Sequence, residues 1–100
     1  MPVCVFASFY PKPDKLAEAE AILLGMVEHT RTEPGCRTYN LHRLPGDEPS
    51  LHIYEIYDDQ AAVEHHRSME YYKNYRATIP DLLGRPVEVK FLDAVDVKTT

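Results

Sequence analysis

Hydrophobic positions along this chain recur with two periods, and the switches between them mark six elements. Over residues 3–10, Val3, Val5, Ala7 and Phe9 alternate with Cys4, Phe6, Ser8 and Tyr10. Both sets are largely apolar, as in a central strand covered on both faces. Pro11-Lys12-Pro13-Asp14 breaks that strand, and Asp14 is placed to cap a helix running to about Thr32. Within it Leu16, Ala19, Leu23, Met26, Val27 and Thr30 recur at three- and four-residue steps, while Lys15, Glu18, Glu28 and Arg31 fall mostly elsewhere, so one side packs and the other is wet. Glu33-Pro34-Gly35 ends the helix, because proline disfavours helical geometry in the residue before it and glycine permits a tight reversal. Residues 36–43 read as a second strand, 44–50 as a short connection containing Pro45, Gly46 and Pro49, and 51–57 as a third strand. Asp58 and Asp59 offer caps for a second helical region over 60–83, bent or broken near Ser68 and stopped by Gly84-Arg85-Pro86. Residues 87–92 alternate again as a fourth strand, and the tail after Asp93 reads as an extension able to reach a partner.

The order strand, helix, strand, strand, helix, strand is that of an α+β, ferredoxin-like βαββαβ unit with a four-stranded antiparallel sheet and its helices on one face. One domain over residues 1–100 is expected, with a core at about 3–92 and the extension at 93–100. Such a short chain hides only roughly 60–70% of the surface its unfolded form exposes. A second copy packed sheet to sheet on the uncovered face would add to that, so a homodimer is expected.

Charge and composition narrow the partners. The net charge of −5 comes with no lysine or arginine stripe and no aromatics interleaved with cations, which argues against nucleic acid. No apolar run approaches the ~20 residues of a membrane span, and no signal peptide is visible, so a cytoplasmic location without membrane contact is expected. Cys4 and Cys36, one in each of two strands, read as small core residues rather than a disulfide or metal frame.

The candidate chemistry concentrates after the third strand. His66 lies three and four residues after Val63 and Ala62 and three before Met69, which sets it on the packed stripe and turns His65 away. Its ordinary pKa of about 6.5 suits proton exchange near neutral pH, although a core histidine satisfied by one hydrogen bond would show the same spacing. Tyr71, Tyr72 and Tyr75 follow at helical spacing, either as packing residues with hydroxyls at the rim or as donors holding a substrate oxygen. Together these side chains suit proton transfer on a small aromatic or enolisable molecule. His66, Tyr72 and Tyr75 are the catalytic candidates; Tyr54, Tyr57, Tyr71, His42 and Met69 are the candidates for substrate contact. Strand parity separates Tyr54 and Ile56 from Ile53, Glu55 and Tyr57 and leaves the inward set open. An inward Glu55 would be costly without a partner, so solvent exposure or a link to Arg37, Arg43 or Lys90 is expected. His42 and His52 lie in opposing strands, a weak metal signal. The chain has no phosphate loop, paired-cysteine zinc pattern or His-Glu-x-x-His, and it is too short for a flavin or dinucleotide domain; no metal or cofactor is expected.

Glu33-Pro34-Gly35-Cys36, Tyr39, Leu41-His42-Arg43, Tyr54-Glu55, Asp59, Ala62, His66 and Lys73, in this order and spacing, resemble the antibiotic biosynthesis monooxygenase family, the small quinol-monooxygenase-like proteins. The resemblance spans roughly residues 3–89 and implies a dimeric α+β barrel. The segment 54–66 is also similar to the phospho-autoinducer-2 isomerase branch. Both branches commonly carry a second histidine five residues beyond the first, where this chain has Tyr71. A frequent tryptophan two residues after the strand glutamate is replaced by Tyr57. The absence of any tryptophan argues against the haem-degrading relatives.

The resemblance implies a cofactor-independent monooxygenase that oxidises a small hydroquinone or polyphenol with dioxygen, His66 taking the phenolic proton and Tyr72 or Tyr75 holding the anion. Two other readings stand beside it. One is a hydroxyketone isomerase in which His66 shuttles a proton through an enediol; the other is a non-catalytic, small-molecule-binding dimer.

Overall fold

Within residues 1–98, which the computed structural model describes, the strands β1 (Val3–Phe9), β2 (Cys36–Leu44), β3 (Ser50–Tyr57) and β4 (Glu88–Leu92) form one antiparallel sheet. Its order is β2-β3-β1-β4. Helices α1 (Leu16–Thr30), α2 (Gln60–Ser68) and α3 (Glu70–Thr78), with a 3-10 turn at Ile79–Leu82, complete the α+β ferredoxin-like arrangement. The last two residues of the expected extension lie outside the described residues.

Register assigns the faces. Val5 pairs with Glu55, Ala7 with Ile53 and Phe9 with Leu51, and on the other side of β1 Val5 pairs with Phe91 and Ala7 with Val89. Tyr39 pairs with Glu55 across β2 and β3, so these odd-numbered positions share one side of the sheet. The helices cover that side, and Phe9, Leu23, Leu51, Ile53 and Ile79 are fully buried between the layers. Each such side chain contributes roughly 1.5–3 kcal/mol of burial free energy.

The second face is less apolar than the alternation in β1 suggests. Phe6, Tyr54 and Ile56 lie there, but so does His52, whose ring stacks on Phe6 at 5.7 Å and is held by the Ser8 and Ser50 hydroxyls at 2.9 and 2.8 Å. Val3, Val5 and Phe9 turn to the helices instead.

Several element ends depart from the periodicity for local reasons. Asp14 does not cap α1: the Lys15 N–H donates to the Lys12 carbonyl at 2.9 Å, and Lys15 occupies the cap position without a side-chain bond. Asp59 does cap α2, accepting from the Ala62 N–H at 2.9 Å. The long second helical region breaks at Met69, whose backbone is extended at φ −70°, ψ 143°. There the Met69 N–H closes α2 on the His66 carbonyl, and the Tyr72 and Lys73 N–H groups begin α3 on the Met69 carbonyl. The break lets α2 and α3 each present a different side to the sheet.

Gly35 fixes the turn after α1 against α2. A Cβ there would lie 2.5 Å from the Ala62 Cβ, while the Gly35 carbonyl accepts from the Asp58 N–H at 2.9 Å. Gly35→Ala should therefore cost about 1–3 kcal/mol through overpacking, read as a lower urea midpoint with an unchanged m-value. A midpoint equal to that of the wild type would show that the turn is free to move.

Candidate active site

A cavity of about 300 Å³ lies between the helix-covered side of the sheet and the α2–α3 layer. That is the lower end of the usual range for small-molecule sites. Val5 and Ala7 from β1, Tyr39 from β2, Glu55 and Tyr57 from β3 and Val63 and His66 from α2 make its buried floor. Tyr72 and Tyr75 wall it from α3, and Arg67, Arg76, Val89 and Phe91 stand at its exposed mouth.

The helix stripe of α2 brings His66 to this floor, where the ring is 3% exposed. Its Nδ1 lies 2.9 Å from Glu33 Oε2, and the Tyr71 hydroxyl donates to the same oxygen. An ionised carboxylate only accepts, so Nδ1 carries the ring proton and Nε2 keeps its lone pair. The rings of Tyr72, Tyr57 and Tyr39 surround the imidazole at centroid distances of 4.9, 5.3 and 5.9 Å. Burial lowers the His66 pKa below its ordinary 6.5, and the bond to Glu33 opposes that shift. The group is a neutral base at neutral pH.

A second proton carrier faces the same space. Glu55 is 8% exposed and points inward, accepting a bond of 2.5 Å from the Tyr57 hydroxyl. Burial pushes its pKa up to about 7, although the Tyr57 bond and the charge of Arg67 favour the ionised form. The expected exposed or salt-linked Glu55 is thus corrected: its strand parity is shared with the packed Ile53, and the phenol two residues on supplies the partner. Cys36 offers no thiolate, since burial raises its pKa to about 11.

The predicted residues separate into two groups. His66, Tyr57, Tyr72 and Tyr75 line the cavity. Tyr54 and His42 do not: Tyr54 lies on the opposite face of β3 from Glu55, and His42, exposed, pairs with His52 on that face. Met69 is half-buried at the break between α2 and α3, away from the lining. Tyr71 lies against α1, stacked on His29 at 4.8 Å, and its hydroxyl reaches Glu33 rather than the cavity. Among the described residues no group of three or more His, Cys, Asp or Glu is placed to hold a metal, and no helix is long and apolar enough to cross a membrane.

Glu33 is not among the expected site residues, and the expected place of Glu55 is in solvent or in a salt link to Arg37, Arg43 or Lys90. The turn Glu33-Pro34-Gly35 gave the signal for a helix stop, but only the fold sets a carboxylate in that turn against a histidine 33 residues later.

The family model for antibiotic biosynthesis monooxygenase matches residues 2–78, and the chain belongs to that family. A Mycobacterium tuberculosis protein named "Putative monooxygenase Rv0793" is 41% identical over 95 residues, 95% of this chain and 93% of that protein. The solved structure of Rv0793 matches with a TM-score of 0.91 at 40% identity, covering 97% of this chain and 98% of its own. A "putative antibiotic biosynthesis monooxygenase" structure from Caulobacter crescentus matches with a TM-score of 0.87 at 29% identity, covering 95% and 91%.

Proposed function

We propose that this protein is a cofactor-independent monooxygenase of the cytoplasm, acting as a homodimer on a small hydroquinone or polyphenol. The observation that carries the reading is the imidazole of His66, tied at Nδ1 to Glu33 and set in the floor of a partly apolar cavity. That arrangement leaves Nε2 as the base for a phenolic proton. Loss of the proton makes the ring electron-rich enough to pass one electron to dioxygen, and the radical pair then joins at a ring carbon. Breaking the O–O bond releases one oxygen as water and leaves the other in the ring, so hydroquinone and dioxygen give hydroxyquinone and water. Tyr72 or Tyr75 would steady the phenolate, and the protonated form of Glu55 would return a proton to the departing oxygen. The apolar walls keep bulk water from the intermediate. The dimer is supported by Phe6, Tyr54 and Leu92, which lie on the sheet face opposite the helices and are not fully buried within one chain.

Oxygen uptake with a panel of hydroquinones tests the reading. His66→Ala should lower the rate, after subtraction of autoxidation, by about 10²–10⁴, the usual contribution of a positioned base. Equal rates would remove His66 from the mechanism. Turnover of a hydroxyketone under anaerobic conditions would replace oxygenation with isomerisation.

A further inference from the structure

The cavity is polar at both ends, but with different charge. Its buried end holds His66 and Glu55; its exposed mouth holds two guanidinium groups, Arg67 from α2 and Arg76 from α3, and no carboxylate. Other arginines of this chain are committed elsewhere: Arg37 pairs with Asp58 at 2.6 Å, and Arg43 pairs with Glu20 at 2.5 Å. Among the described residues, Arg67 and Arg76 form no ion pair. Arg67 lies over the Phe91 ring at 5.3 Å from its centroid, a stack that steadies the guanidinium plane and leaves its edge free. The stacked guanidinium of Arg67, with the second cation of Arg76 at the same mouth, matches a carboxylate, which can accept two parallel N–H bonds.

We propose that the substrate carries a carboxylate on or beside its aromatic ring, received at the cavity mouth by Arg67 and Arg76. The assignment rests on the aromatic occupant proposed above and adds its charge and its orientation. An anionic group would be repelled at depth by Glu55 whenever that side chain is ionised, so it faces outward. The opposite, phenolic end of the ring then points to His66. A dihydroxybenzoate, a polyphenol with hydroxyl and carboxylate at opposite ends, has the required polarity, and 4-hydroxybenzoate is its simplest binding probe. An uncharged hydroquinone of the same size would leave both guanidinium groups without a partner and would enter in either sense.

Calorimetric titration with 4-hydroxybenzoate and with phenol tests this without oxygen or turnover. The full chain should bind 4-hydroxybenzoate about tenfold more tightly than phenol, equivalent to about 1.4 kcal/mol. The preference should weaken as ionic strength rises, because both cations are exposed. In the double variant Arg67→Gln/Arg76→Gln the preference should fall to about twofold or less. Both substitutions lie at exposed positions, and circular dichroism should report the wild-type fold for the variant. Equal binding of the two probes to the wild type, a preference that survives the double substitution, or binding of neither probe would overturn the proposal. Preference for 4-hydroxybenzoate without oxygen uptake on any hydroxylated benzoate would leave the anion site standing and remove the oxygenase.

Discussion

Replacing Glu33 should disable this protein in two separable ways. In Glu33→Ala the Nδ1–H of His66 and the hydroxyl of Tyr71 lose their shared acceptor in a place that water reaches poorly; Glu33 is 6% exposed and His66 3%. Leaving a buried neutral donor without its acceptor costs about 1–3 kcal/mol. For a chain of this size that lowers Tm by roughly 4–24 °C. Glu33→Gln is the informative comparison. Its amide oxygen can still accept from Nδ1, so most of the stability should remain, while the negative charge that favours imidazolium is gone. The bond and charge of Glu33 both raise the His66 pKa. Loss of the charge should move the acid limb of the pH–rate profile to lower pH and reduce the plateau, because a weaker base takes the phenolic proton more slowly. A Glu33→Gln enzyme with reduced stability but an unmoved acid limb would confine Glu33 to packing. Tyr71 enters through the same carboxylate: it binds the group that binds His66.

Stability should fall as pH rises through neutrality, and Glu55 should be the cause. Its carboxyl titrates near 4.5 when exposed and at about 7 when folded, because burial disfavours the charge. Between those two values the folded chain holds a proton that the unfolded chain has released, so raising pH favours unfolding. The difference amounts to roughly 3 kcal/mol, fully lost above about pH 7. His66 acts in the other direction and over a lower window. Its folded pKa lies below 6.5, so the unfolded chain holds the extra proton there, and stability rises with pH until about 6.5 is passed. Urea midpoints at pH 5 and pH 8, at one protein concentration, measure the sum. Glu55→Gln should remove the neutral-range decline and be more stable than the wild type at pH 8. It should also remove the alkaline limb of the turnover profile and lower the maximum, if a protonated Glu55 serves the departing oxygen. A Glu55→Gln midpoint with the same pH dependence as the wild type would place the Glu55 carboxyl in an environment as polar as water.

What the chain determined by itself was the set of elements and their order. Alternation over 3–10 and 51–57, helical spacing from Leu16 to Thr30, and the turn chemistry of Glu33-Pro34-Gly35 and Asp59 are local properties, written within a few residues of where they act. The period of α2 also set His66 apart from His65, since a helix face is a matter of spacing alone. Tertiary structure decided the rest. Parity says that Glu55 and Tyr57 share a face but not which layer covers it, and pairing with β1 and β2 under the helices turned both inward. The same pairing turned Tyr54 and His42 away. Glu33 meets His66 and Tyr71 across 33 and 38 residues of chain, a contact made by the packing of α1 and its turn against α2 and α3. The Glu33 carboxylate is tolerable in the interior because donors from distant segments arrive to meet it, and the arrival of distant groups is a property of the fold rather than of any segment.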